Sequence, residues 1–350
     1  MKTNKLLALL MAGAMSVSML SGCGGKKDDS TSSNGGNGSG TVSSRVWKFS
    51  HTRAEGTDND IMANKFADSL MENLDGLQID MYPNNQLGDY TVVQEAVGLD
   101  EVQLMLGSMS NGVDPTLSVQ IAPYLVNNWD DAYEFYNSDD GIITNYVRES
   151  LEKQNIHLLA VMPKYFGAIM TTKPASNIED PAANKGVKIR VPQMKSFESF
   201  ASAIGFQTTP LPTSDTFTSL QTGVVDGACG GGAEQYWSDY GELAKYIYCL
   251  RTHMENHWLY MSLDTWNSLS ADEQETVTKL AKEWEAEAYQ LAKDNETKYI
   301  DLFTEKGVEV YVPSQDVVDA YADYVRTNVW PQIASEYGDI WNDIMAKVNE

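Results

Sequence analysis

The chain is poor in cysteine, histidine and positive charge. It has three cysteines and four histidines in 350 residues, and 25 Lys and Arg against 49 Asp and Glu, for a net charge of −24. So few cysteines exclude a disulfide-built scaffold. The acidic balance excludes nonspecific binding to nucleic acid or to an anionic membrane face. Any anionic ligand must therefore be held by particular, locally placed cations. No glycine-rich loop is followed by Gly-Lys-Ser/Thr, so a nucleotide loop is absent. No serine elbow, paired-carboxylate motif or reactive Cys–His spacing stands out, so an enzyme has no candidate constellation and no cofactor is implied. The run His253-Met254-Glu255-Asn256-His257 carries two histidines. A zinc protease needs glutamate directly after the first histidine, on a helix; here it is displaced on a linker strand, and no metal site is read. Long apolar runs are also missing. The longest, Leu6 to Leu20, is 15 residues, short of the ~20 a spanning helix needs.

What is there begins at the N-terminus. Lys2 and Lys5 precede that apolar run, and Leu20-Ser21-Gly22-Cys23 follows it. This is the pattern of a bacterial lipoprotein signal: residues 1–22 are removed and Cys23 carries lipid. Ordinary secretion with an incidental cysteine is the alternative. Residues 23–44 are rich in Gly and Ser, with Val42 as the one sizeable apolar side chain. They read as a flexible linker of about 25 Å. Residues 45–350 are then an extracytoplasmic domain, anchored to the membrane without crossing it. Cys229 and Cys249 remain, either bonded or as two small buried thiols.

About 300 residues exceed one typical core, so two lobes are expected. Arg45–Ser50 and Leu77–Tyr82 alternate as strands, with a helix from Asp60 to Leu74 between them. A helix over Tyr90–Leu99 and a strand over Val102–Leu106 complete a strand–helix alternation, the doubly wound α/β plan. The pattern restarts with strands at Ile156–Val161, Gly167–Thr172 and Val187–Val191. Helices over Ser196–Ile204 and Thr213–Thr222 follow, then a brief strand at Val224–Asp226. Lobe I is placed at about 45–163 plus 250–270, and lobe II at about 164–249 plus the C-terminal helices. The chain is expected to cross between them near Met162–Phe166 and Tyr246–Leu263. Ser270 and Glu273 form a capping box. The helix it opens runs uninterrupted toward Gly307, roughly 50 Å at 1.5 Å per residue, long enough to span both lobes.

The stretch Lys185 to Gly227 is the most informative. Val187-Lys188-Ile189-Arg190-Val191 reads as a strand that Pro192 must end. Arg190 thus lies near a strand's C-terminal end, where ligands bind in open α/β sheets. Its guanidinium suits a carboxylate; an ordinary salt bridge is the alternative.

These pieces resemble one family. Tyr82-Pro83-Asn84-Asn85-Gln86-Leu87-Gly88, Lys185-Gly186-Val187-Lys188-Ile189-Arg190-Val191-Pro192, Leu220-Gln221-Thr222-Gly223-Val224-Val225-Asp226-Gly227 and Trp266-Asn267-Ser268-Leu269 occur in the order found in the dicarboxylate-binding-protein family. These are the solute-binding subunits of tripartite ATP-independent periplasmic (TRAP) transporters. The resemblance implies a periplasmic-binding-protein-like fold with a cleft between two lobes and a long helix across both. It implies a small organic acid as ligand, paired to Arg190, and a membrane permease as partner. A monomer without cofactor is expected. An ATP-driven importer's binding protein, or an extracellular enzyme acting on acidic sugars, would be alternatives on the same frame.

The chain also departs from the family. Ile169 stands where a second arginine is often found, Ala228-Cys229-Gly230-Gly231 replaces Gln-Glu-Asn-Pro, and Thr213 stands where an aromatic is common. Candidate ligand contacts beyond Arg190 and Thr213 are these. Gly230 and Gly231 form either a backbone anion nest or a tight turn. Glu234 and Tyr236 read as cleft lining, or as a helix-start carboxylate and a packing tyrosine. The segments His51-Thr52-Arg53 and Ser108-Met109-Ser110 follow lobe I strands and should face the cleft. Phe166 is read either as a stacking surface or as core.

Overall fold

The structure, a computed structural model, describes residues 45–348. The signal segment, Cys23 and the linker lie outside the described residues. Two sheets build the domain. The first runs β1 (Arg45–His51), β2 (Leu77–Tyr82), β3 (Leu104–Gly107), then β4 (Ile156–Phe166) and, much later in sequence, β10 (Met254–Ser262). Its order is β2-β1-β3-β10-β4. The first three strands are parallel, and β10 is antiparallel to both its neighbours. The second sheet holds β5 (Ala168–Thr171), β6 (Lys188–Val191), β7 (Gln207–Pro210), β8 (Gly227–Gly231), β9 (Tyr246–Tyr248) and β11 (Glu309–Tyr311). Its order is β11-β9-β5-β8-β6-β7, with β6, β7 and β8 parallel.

The two crossings are short. Gly167 alone separates β4 from β5, and residues 249–253 separate β9 from β10. The two crossing segments hold each other: Gly167 donates to the His253 carbonyl at 2.8 Å, and Thr252 donates back to Gly167 at 3.0 Å. A side chain at Gly167 would meet the His253 ring at 2.2 Å, so only glycine lets the segments approach this closely. Ile156–Val161, where the strand pattern restarts, belongs to the first sheet as part of the longer β4.

The helix Ala271–Glu305 opens with the expected capping box and is 35 residues long. Near its start it packs on lobe I, where Trp284 donates to the Met62 carbonyl at 2.8 Å. Buried Glu285 accepts from the Val161 and Ser138 amides at 2.8 and 2.9 Å. Near its end it packs on lobe II, with Phe303 edge-on to Trp237 at 5.2 Å. The C-terminal helices, expected with lobe II, touch both lobes. Trp330 and Arg326 donate to carbonyls of Pro123, Tyr124 and Leu125, while Lys195 bonds the Gln332 carbonyl. Among the described residues no helix is long and apolar enough to cross a membrane.

The strand expected at Val224–Asp226 is a turn; the strand is Gly227–Gly231. Periodicity misplaced it because glycine contributes no apolar side chain to the pattern. Cys229 and Cys249 are free thiols; burial pushes each up to about 12.

Candidate functional site

A cleft of ≈ 430 Å³ opens between the sheets, within the roughly 300–1,000 Å³ of small-molecule sites. Residues from β1, β3 and β10 or the loops that follow them form one wall; β8 and the loops after β6 and β7 form the other. A side chamber of ≈ 230 Å³ adjoins it and shares Thr52, Arg53, Tyr165 and Gln235 as lining.

Arg190 sits on β6 behind the lobe II wall, 5 % exposed. Its Nε donates to the Leu211 carbonyl at 2.8 Å, Nη2 to the Thr213 hydroxyl at 3.1 Å, and Nη1 more weakly to the Cys229 carbonyl at 3.4 Å. All three acceptors are neutral. No carboxylate among the described residues pairs with it. Burial lowers its pKa, partly offset by the Tyr240, Tyr236 and Cys229 side chains. Buried charges are ordinarily paired, so this guanidinium is oriented by the protein and left without a counter-charge.

The glycines serve this arrangement through what they lack. Gly230 lines the cleft at φ 98°. A Cβ there would lie 2.5 Å from Pro192 Cγ and 3.6 Å from Arg190 Nη1. Gly231 is not a free donor, since its N–H bonds the Tyr236 hydroxyl at 3.1 Å. Lys185, first residue of the basic block, is fully buried and donates to the Asp180 and Ala183 carbonyls at 2.5 and 2.9 Å. Its role there is to hold a loop.

The other expected contacts divide. Ser108, Thr213, Thr52, Arg53 and Met109 line the cleft. His51 does not: it is buried in lobe I, 3.1 Å from Asp60, with its pKa lowered chiefly by burial. Tyr236 does not either: its hydroxyl also bonds the Ala168 and Ala228 carbonyls inside lobe II, and it packs as core. Phe166 turns toward the hinge, edge-on to Trp129 at 5.0 Å and under Arg251. Glu234 lines the side chamber and pairs across the lobes with buried Lys164 at 2.8 Å. Beside it Tyr165 donates to Gln235 at 2.7 Å. Ile169 is wholly buried.

Sequence reasoning passed over the pair Glu255 and Asn256. Both line the cleft. Neighbours on a regular strand face opposite ways; here the ladder is irregular, with Glu255 paired to Tyr165, Asn256 to Pro163 and Lys164 the extra residue in β4. The available signal was two adjacent polar residues ahead of the apolar run Trp258–Met261 in a crossing strand. Asn256 is 2 % exposed, and neither its amide nitrogen nor its oxygen has a protein partner. Burial pushes the Glu255 carboxyl up to about 7, against lowering by Arg53, Lys164 and a Ser108 hydrogen bond. The histidines flanking this pair are buried and held low, His253 at about 4. His257 bonds Asn59 at 2.9 Å and His253 packs edge-on to Phe197.

Residues 49–336 match the family described as bacterial extracellular solute-binding protein, family 7. The sialic acid-binding periplasmic protein SiaP of Vibrio cholerae is 27% identical over 258 residues, covering 72% of this chain and 78% of its own. The C4-dicarboxylate-binding periplasmic protein DctP of Rhodobacter capsulatus is 24% identical over 298 residues, covering 84% and 87%. A TRAP periplasmic solute-binding protein from Haemophilus influenzae, solved with bound L-gulonate, superposes with a TM-score of 0.73 at 25% identity, over 87% of this chain and 98% of that one. These relatives are binding proteins of transporters, not enzymes. The chain belongs to this family, the extracytoplasmic solute-binding proteins of TRAP-type importers.

Proposed function

We propose that the domain captures a small organic acid in the inter-lobe cleft, with its carboxylate on Arg190, and delivers it to a TRAP-type permease. The observation that carries this reading is a buried guanidinium oriented by three neutral acceptors and lacking a carboxylate partner among the described residues. A ligand carboxylate supplies the missing charge through the N–H groups that remain. Ser108, Thr213 and Gly230 complete the shell from both sides. Closure follows because a ligand touching both walls binds the closed state better than the open one. Cys23 is the lipid attachment that keeps the monomeric domain at the membrane, and no catalytic step is assigned to the site.

The test is a thermal-shift screen of the domain against organic acids, acidic sugars, amino acids and neutral sugars, followed by calorimetry. An acid at ~100 times its Kd should stabilise the fold by about 2.7 kcal/mol. Arg190→Ala should weaken binding by about 2–5 kcal/mol. Shifts with neutral sugars alone, or unchanged acid affinity in Arg190→Ala, would overturn the assignment.

A further inference from the structure

The wall facing Arg190 differs from it in chemistry, and the difference bears on which acid fits. This rests on the reading of Arg190 as the carboxylate site. Asn256 is buried on the cleft wall with its Nδ2 donor and Oδ1 acceptor both unpartnered by protein. Glu255, the residue before it on β10, lines the same cavity, and Ser108 hydrogen-bonds its carboxyl. A carboxylate only accepts hydrogen bonds, so it satisfies Nδ2 and leaves Oδ1 facing an acceptor. A hydroxyl donates and accepts, and two neighbouring hydroxyls satisfy both amide atoms and still reach Glu255. Leaving a buried polar atom unpaired is what makes such sites reject analogues that lack the group.

We propose that Asn256, with Glu255 beside it, selects a monocarboxylic acid whose other end carries hydroxyls, and disfavours dicarboxylates. The wall does contain a cation, Arg53, which lines both the cleft and the side chamber. Arg53 already acts on Glu255, where its charge favours the ionised form. A second ligand carboxylate drawn to Arg53 would compete with Glu255 and face it as a like charge. Hydroxyls incur neither conflict. The proposal therefore separates two acids of similar size by what stands opposite their shared carboxylate.

The experiment is calorimetry of the wild-type domain with D-gluconate, D-glucuronate, hexanoate, succinate and adipate. It is repeated on Asn256→Leu and Asn256→Ala, with Arg190→Ala as control. A hydroxy acid should bind wild type at least roughly a hundredfold more tightly than hexanoate or either dicarboxylate. Both Asn256 variants should lose most of that ratio by weakening the hydroxy acid alone. Succinate, adipate or hexanoate binding as tightly as the hydroxy acids, with Arg190 dependence, would overturn the selection while leaving carboxylate capture standing. A ratio unchanged in a folded Asn256 variant would also overturn it. Failure of all five acids to bind wild type would remove both readings. The wild-type ratios need no variant, so a variant that does not fold leaves the proposal open to refutation.

Discussion

The two walls of the cleft handle buried polarity in opposite ways. On the lobe II wall, Arg190 has its geometry fixed by backbone carbonyls and Thr213, and its charge and remaining N–H groups are unanswered. On the lobe I wall, the Asn256 side-chain amide has no protein hydrogen-bond partner, and burial pushes the Glu255 carboxyl up to about 7, which leaves it half ionised at pH 7. One wall is preorganised and lacks a counter-ion; the other lacks hydrogen-bond partners. On the function proposed above, the first arrangement would supply affinity to a carboxylate, and the second would distinguish among carboxylates.

That contrast can be broken most severely at Arg190. Arg190→Met keeps the side chain's bulk and removes the unpaired charge. Acid affinity should fall by about 2–5 kcal/mol in calorimetry. The ligand-free fold should hold or gain stability in urea, since replacing a buried charge by a packed apolar group is often neutral or stabilising. A large loss of ligand-free stability would show that Arg190 holds the lobe together.

Gly230→Ala tests the room left for the guanidinium. At φ 98° and 2.5 Å from Pro192 Cγ, the new methyl should cost about 1–3 kcal/mol of stability in urea unfolding. It should weaken acid binding as well.

Thr213→Val removes one acceptor from Arg190 and leaves the other two. Affinity should drop by about 1 kcal/mol, roughly fivefold. No change would mean that the carbonyls alone orient the group.

The smallest effect concerns pH and the opposite wall. Glu255 titrates near 7 when folded against an ordinary 4.5. The native state therefore keeps a proton that the unfolded chain releases over that interval. Its contribution makes stability fall as pH rises from about 4.5 to 7. The buried histidines, whose folded pKa values are depressed, act oppositely: they make stability rise with pH as the unfolded chain loses its imidazolium protons. Glu255→Gln cancels only the first contribution. The melting-temperature difference, variant minus wild type, should grow between pH 5 and 7.5 and then level off. A flat difference would deny that Glu255 is desolvated.

How legible the site was depended on what each residue does in its strand. Arg190 could be read because Pro192 ends its strand and fixes its height in the sheet. Ser108 was readable for the same reason, as the residue after β3. His51 misled, and Tyr236 took the packing alternative, because a polar side chain near a strand end or helix start can satisfy itself inward, with Asp60 in one case and three backbone groups in the other. Nothing in the local pattern distinguishes those fates. Asn256 was hidden by its surroundings, between two histidines and beside an apolar run, and its cleft position depends on a bulge set by the partner strand.

The sequence by itself determined the two α/β sheets, the two crossings and the capped helix across both lobes. Periodicity, caps and proline stops act within a few residues of chain and need no distant partner. It also determined, through the block ending at Pro192, that an arginine stands near the C-terminal end of a strand in an acidic protein. Tertiary structure decided which polar groups are left unsatisfied. Whether Arg190 meets a carboxylate or a carbonyl, and whether Asn256 meets anything, depends on residues from separate strands and loops brought together only when the sheets assemble. Hydrogen-bond satisfaction is a property of that assembly and leaves no local trace in the chain.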